Sequence, residues 1–206
     1  MATYHLRPLP NSPPTPSDVE KYKAFRLLSL RTDPESYSST YEGESAFTDQ
    51  QWYDRLASEG LKVTIVASTE GEDEWGGMIT VLTPQFLDFG GYIPSRLKET
   101  YSVDSVYIVV GMWVHPDHRR RGLGARLIEE ALQWVRNREV DDRHVKRTLL
   151  LEVVSGNANA ARLYGKMGFQ EVDRAGSTSE EDATFMFLEV PWLRGNTGYN
   201  EPGGVE

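Results

Sequence analysis

The sequence predicts a three-layer α/β fold, helices on both faces of a mixed, mostly antiparallel central sheet of about seven strands. Three observations carry this. Apolar runs of strand length alternate with segments whose apolar residues recur at helical spacing. The unit from Tyr107 to Val154 reads strand–helix–strand and should close as a right-handed parallel crossover. Elsewhere neighbouring strands are joined closely enough to be hairpins, which makes the sheet mixed.

Taken in order, Tyr4, Leu6 and Leu9 suggest a short first strand, broken by Pro8, Pro10, Pro13, Pro14 and Pro16. Ser17-Asp18-Val19-Glu20 reads as a capping box, and Val19, Tyr22, Phe25 and Leu28 follow at helical spacing. That helix should end before Pro34. A polar segment runs from Asp33 to Phe47. Thr48 to Gln51 is a second capping box, opening a short helix with Trp52 and Leu56 on one face and Gly60 at its end. Leu61–Ser68 and Trp75–Leu82 read as a hairpin around the acidic turn Glu70–Glu74, which is expected to be solvated. Pro84 to Asp104 has no clear period; connections this long are often binding loops or lids. Tyr107–His115 is a strongly apolar strand. Leu123, Leu127, Ile128, Ala131, Leu132 and Val135 form the cleanest helical stripe in the chain. Thr148–Val154 is a strand buried on both faces by its pattern. Asn157 can cap a helix carrying Ala160, Leu163, Tyr164 and Met167, with Gly168 as its C′ residue. Phe169–Asp173 and Thr184–Val190 complete the sheet. One domain is expected over 1–193, followed by a disordered Gly-, Asn- and Pro-rich tail at 194–206.

Composition excludes several functions. There are no cysteines, so disulfides, thiolate metal sites and a cysteine nucleophile are ruled out. The net charge of −9 argues against a nucleic-acid binder, which needs a basic face to neutralise phosphates. No apolar run approaches the roughly 20 residues that span a bilayer. The first residues lack a basic segment followed by an apolar one. No membrane association and a cytosolic location, or a nuclear one, are therefore expected. Only 4 histidines are present, and none has zincin spacing to a carboxylate, so no metal is expected.

The chemistry is concentrated after the Tyr107 strand, in Val114-His115-Pro116-Asp117-His118-Arg119-Arg120-Arg121-Gly122-Leu123-Gly124-Ala125-Arg126-Leu127. A helix start presents unpaired N–H groups and the positive end of the helix dipole. Gly122 and Gly124 remove side chains where a ligand could approach closely, and Arg119, Arg120 and Arg121 add positive charge. Together these make a phosphate or pyrophosphate site. The dinucleotide fingerprint fails because Leu127 stands where its third glycine is needed, and the P-loop's G-K-S/T is absent.

Arg119-x-x-Gly122-x-Gly124 resembles the Q/R-x-x-G-x-G/A signature of the GNAT superfamily of acyl-CoA-dependent N-acetyltransferases. Leu151-Glu152-Val153, Asn157-x-x-Ala160-x-x-Leu163-Tyr164 and Lys166-Met167-Gly168-Phe169 resemble that family's second conserved block. The stretch from Glu181 through Met186 resembles its closing strand. The resemblance covers roughly residues 3–191. It implies that acetyl-CoA is the co-substrate and that its pantetheine arm lies between two splayed parallel strands. Backbone groups of Met112, Trp113 and Val114 would pair with that arm. Amides from Arg120 to Ala125, Leu123 among them, would hold the pyrophosphate. Asn157 and Ala160 would meet the pantetheine, and Tyr164 would sit beside the thioester sulfur. The family transfers acetyl directly to an amine, without a covalent enzyme intermediate.

An amine attacks a thioester only when neutral, and a lysine-type amine has a pKa of about 10.4. A general base must take its proton. Glu152 interrupts an apolar strand, where desolvation would raise its pKa and suit it to that role; a structural, hydrogen-bonded carboxylate is the alternative. Tyr164 can protonate the leaving thiolate; its alternative is a core tyrosine. The pair resembles the base and acid proposed for the family branch that acetylates protein N-termini. Strand amides near Val114 could stabilise the oxyanion.

The resemblance places the acceptor between Asp33–Phe47, Pro84–Asp104 and Ala175–Ala183. These carry Glu35, Glu42, Glu44, Glu180, Glu181 and Asp182, with Tyr37, Tyr41, Phe89 and Tyr92. Such acidic rims would attract a cationic amine. The long 84–104 connection departs from the family's short one. The first reading is an acetyltransferase acting on a primary amine of a peptide N-terminus, a lysine or a small molecule; two others stand beside it, a non-catalytic acyl-CoA-binding or regulatory module and an acyltransferase using a longer acyl group or a non-amine acceptor. Dimerisation is common among relatives of this kind.

Overall fold

In the computed structural model the described residues are 3–9, 13–69, 74–86, 92–138, 146–172 and 183–190. Seven strands form one sheet: β1 Tyr4–Pro8, β2 Lys62–Thr69, β3 Trp75–Leu82, β4 Val106–Val114, β5 Arg147–Val154, β6 Gln170–Val172 and β7 Ala183–Val190. Their order is β1-β2-β3-β4-β5-β7-β6, with β4 and β5 the parallel pair and every other pairing antiparallel. The expected tail, the tip of the Glu70–Glu74 turn and the segment containing Glu180, Glu181 and Asp182 lie outside the described residues.

Among the described residues six α-helices accompany the sheet: α1 Pro16–Thr32, α2 Tyr41–Ser45, α3 Asp49–Leu56, α4 Ser95–Lys98, α5 Leu123–Arg136 and α6 Ala158–Lys166. The first cap is corrected. Thr15, not Ser17, accepts the Asp18 N–H at 3.1 Å, and Thr15 Oγ1 donates to the Asp18 carboxylate at 2.7 Å. Pro16 at the first helical position has no N–H to leave unpaired, which starts the helix early. The Thr48–Gln51 box is reciprocal as expected. The polar 33–47 segment contains α2, capped by Thr40. The 84–104 connection, without a readable period, contains α4 and a 3-10 turn at Val103–Ser105. Helices this short show too few turns for a periodic stripe.

One face of the sheet carries α5 and α6. All six residues of the α5 stripe are buried there, against Ile65, Ile79, Val109, Leu149 and Leu151. The other face has two separate cores. Phe25, Trp52, Trp75, Met78 and Trp113 pack under α1 and α3, and Ile93, Leu97, Leu150 and Phe185 pack under α4. At roughly 1.5–3 kcal/mol per large apolar side chain, these three cores hold the layers together.

Candidate active site

β4 and β5 are paired only where Val106–Ile108 face Thr148–Leu150. β4 then continues to Val114 and β5 to Val154 without pairing to each other. The cause is a bulge in β4. Against β3, Trp113 faces Met78, but the next registered pair is Val110 with Thr80, so β4 holds one residue too many. Gly111, at φ +60°, supplies the left-handed backbone the extra residue needs. The alternation inverts across it: Tyr107 and Val109 join the α5 core before the bulge, Met112 and Val114 after it.

Past the bulge, the His115 N–H donates to Gly76 O at 2.9 Å. By alternation Trp113 also turns its backbone toward β3, while Met112 and Val114 turn theirs into the opening. The expectation for Trp113 is thereby corrected: its backbone groups serve the ladder with Met78. Its indole N–H donates to Asp33 at 2.6 Å.

The chain then makes a 3-10 turn at Pro116–His118 and enters α5 through Arg120, at φ +63°, and Gly122, at φ +80°. Gly122 is the N-cap and has no side chain to offer. The first-turn amides of Leu123, Gly124 and Ala125 therefore have no side-chain acceptor, and the exposed Arg120 and Arg121 stand beside them. That is an anion cradle of amides and charge. Arg119 is different. Its guanidinium is turned to the Asp33 carboxylate and to Val114 O, the latter at 2.9 Å, so the expected anion contact for its side chain is corrected. Gly124 also has a packing role. A Cβ there would lie 2.9 Å from Leu163 Cδ2 and 3.5 Å from Met112 Cε. The glycine makes room for α6 and not only for a ligand.

Asn157 caps α6 by accepting the Ala160 N–H at 3.1 Å, and its Nδ2 donates to Ser36 Oγ at 3.3 Å. Tyr164 is buried, with its hydroxyl donating to Met112 Sδ at 3.3 Å, so it is aimed at the opening. Burial, and then the neighbouring Tyr37, push its phenol well above the ordinary value. Glu152 departs from expectation. It is exposed rather than desolvated, and its carboxylate accepts a hydrogen bond from Tyr92 at 2.9 Å. Because Leu151 and Val153 face the α5 core with Tyr164, Glu152 projects from the opposite face of β5.

Sequence reading missed Gly111, Asp33 and Ser36, and it placed Tyr92 on the acceptor rim without its bond to Glu152. A glycine inside an apolar strand is a bulge signal and could have found the first; nothing local marks the others. The acidic rim is also revised. Glu44 is buried, donated to by Arg26 at 2.8 and 2.9 Å and by Arg55 at 3.0 Å, and Arg26 lies 4.5 Å from the Tyr37 ring. Glu35 and Glu42 remain exposed, and Phe89 lies outside the described residues.

The family model for acetyltransferases of the GNAT family matches residues 25–169, a span that includes the bulged strand, the amide cradle and Tyr164. The chain belongs to the GNAT acetyltransferase family. Comparison with curated proteins returns no match. Among solved structures, a GNAT-family acetyltransferase from Streptococcus pneumoniae is 22% identical with a TM-score of 0.63, covering 92% of this chain and 100% of its own. Arabidopsis thaliana NAA60 in complex with a bisubstrate analogue is 19% identical, with a TM-score of 0.60 and coverage of 91% and 98%. The ribosomal-protein-S18-alanine N-acetyltransferase of Escherichia coli is 17% identical, with a TM-score of 0.55 and coverage of 96% and 100%. These likenesses establish the GNAT fold. NAA60 has also been solved with acetyl-CoA. Among the described residues of this GNAT chain, no helix is long and apolar enough to cross a membrane.

Proposed function

We propose that this GNAT protein transfers acetyl from acetyl-CoA to a primary amine, with a peptide N-terminus the first acceptor to test. One observation carries the reading: the opening between β4 and β5 has Tyr164 on one face and Glu152 on the other. An amine arriving from the Glu152 face and a sulfur lying toward the Tyr164 face would give each atom of the tetrahedral intermediate its own proton-transfer partner. Met112 and Val114 would hydrogen-bond the pantetheine. The amides of Leu123, Gly124 and Ala125, with Arg120 and Arg121, would hold the pyrophosphate. Asn157 and Ala160 would meet the arm at the start of α6.

Glu152 would take the ammonium proton, directly or through water, before attack. The acyl carbon then passes through a tetrahedral oxyanion next to the Val114 strand end. Collapse releases the thiolate, Tyr164 would donate the proton that completes the thiol, and the nitrogen, cationic after attack, would give up its second proton through water to the phenolate, which restores Tyr164. The raised phenol keeps that proton through ordinary assay pH. Desolvation in the same slot raises the basicity of a developing thiolate, which helps the transfer. The alanine N-acetylation for which the Escherichia coli enzyme is named is a reaction that a base and an acid so placed would serve.

The test is calorimetric titration with acetyl-CoA, native against Arg120→Glu/Arg121→Glu. These exposed side chains can be reversed without touching α6, unlike Gly124. Binding that weakens about tenfold or more in the variant locates the pyrophosphate; absence of native binding ends the reading. Turnover is then sought by mass spectrometry with peptides carrying free N-terminal alanine, methionine or serine. Glu152→Gln and Tyr164→Phe should each lose about 100-fold or more in kcat.

A further inference from the structure

We infer that Tyr92 is a positioning residue for the transfer reaction, delivered by the long β3–β4 connection to hold the Glu152 carboxylate; the inference rests on the assignment of Glu152 as base. Glu152 stands exposed on β5, on the face away from α5, where a carboxylate on three rotatable bonds has several orientations open to it. The Tyr92 hydroxyl donates to Glu152 Oε2 at 2.9 Å. That leaves Oε1 as the oxygen directed to an incoming ammonium group or its relay water.

The hold is geometrically redundant. Phe185 of β7 stands directly opposite Glu152 of β5 in the antiparallel ladder, so their side chains share one face. Tyr92 engages both members of this pair: its hydroxyl bonds Glu152, and its ring meets the Phe185 ring edge-on at 5.2 Å. The next residues fix the tyrosine from behind. Ile93 and Leu97 are 3% and 2% exposed, packed with Val106, Leu150 and Val172. A tyrosine tethered at ring, hydroxyl and following residue has little freedom to lose, so it can order a surface carboxylate at small entropic cost. A phenylalanine would satisfy the Phe185 contact alone. The hydroxyl is the part that packing does not require.

Tyr92→Phe separates the two contributions, since it keeps the ring and deletes the donor. Kinetics use the N-terminal peptide that the panel above selects. The expected result is a kcat about tenfold lower, the size of one hydrogen bond to a charged group. Acetyl-CoA affinity, peptide KM and melting temperature should stay native. Combined with Glu152→Gln, Tyr92→Phe should add no further loss, because the two residues act as a unit. Tyr92→Phe at native kcat beside a crippled Glu152→Gln overturns the positioning role alone. Losses that multiply in the double variant also overturn it, by showing that the hydroxyl acts elsewhere. Native kcat in Glu152→Gln overturns the base assignment and this inference with it.

Discussion

The Asp33 carboxylate, at the C-terminal cap of α1, accepts the Trp113 indole N–H at 2.6 Å and so ties the end of α1 to the open end of β4. The same carboxylate takes up the Arg119 guanidinium, and three residues on Ser36 accepts from Asn157. The start of the α1–α2 segment thus bridges β4, the basic turn and the cap of α6, the three elements that border the opening.

This bridge should show in acid stability. Burial raises the Asp33 carboxyl, but the hydrogen bonds from Arg119 and Trp113 and the Arg119 charge outweigh it, so the folded pKa lies below the ordinary value. A lowered folded pKa gives stability that is present above the unfolded value, about 3.9, and lost as pH falls through the folded one. Asp33→Asn should therefore melt below native protein at pH 7. The gap should persist down to about pH 4 and close below that. A gap unchanged at pH 3 would show that the charge of Asp33 contributes nothing.

Glu44 should be among the costliest polar positions to truncate. Glu44→Ala strands the buried Arg26, a change that costs about 3–5 kcal/mol in buried pairs. At roughly 2–4 °C per kcal/mol for a chain of this size, melting should drop by about 6 °C or more. A drop below 2 °C would mean that water or another acceptor replaces the carboxylate.

Gly124 tests the contact between α5 and α6. Gly124→Ala places a methyl 2.9 Å from the end of the half-buried Leu163 side chain, which must turn aside, and should destabilise by no more than about 1 kcal/mol. Adding Leu163→Ala should recover stability relative to Leu163→Ala alone, which thermal melting of the four proteins will read. Equal losses from Gly124→Ala in both backgrounds would disprove the crowding.

Tyr164 should not limit the alkaline side of the rate profile. Its phenol is raised by burial, so kcat should show no fall from its ionisation up to about pH 10, the ordinary tyrosine value. A descending limb near pH 9 that vanishes in Tyr164→Phe would contradict this.

The parts legible in the sequence are those written in neighbouring residues. The α5 stripe, the Asn157 cap, the Gly168 terminus at φ +93° and the glycine–arginine turn each need only a period or a spacing, and each stands where the sequence put it. The local reading went wrong where two local signals competed, as with Thr15-Pro16 against Ser17–Glu20.

By itself the sequence determined the layered α/β fold, its GNAT membership and the place where α5 offers its amides. Only the tertiary structure decided what these residues touch. Tyr92 and Glu152 are 60 residues apart and Asp33 and Trp113 are 80 apart. The room at Gly124 is taken by a leucine of α6, and Glu44 is drawn inside by two arginines. Periodicity and capping are local chemistry, carried by backbone geometry within a few residues. Which side chains meet across strands depends on register, and one extra residue at Gly111 inverts it for the rest of β4.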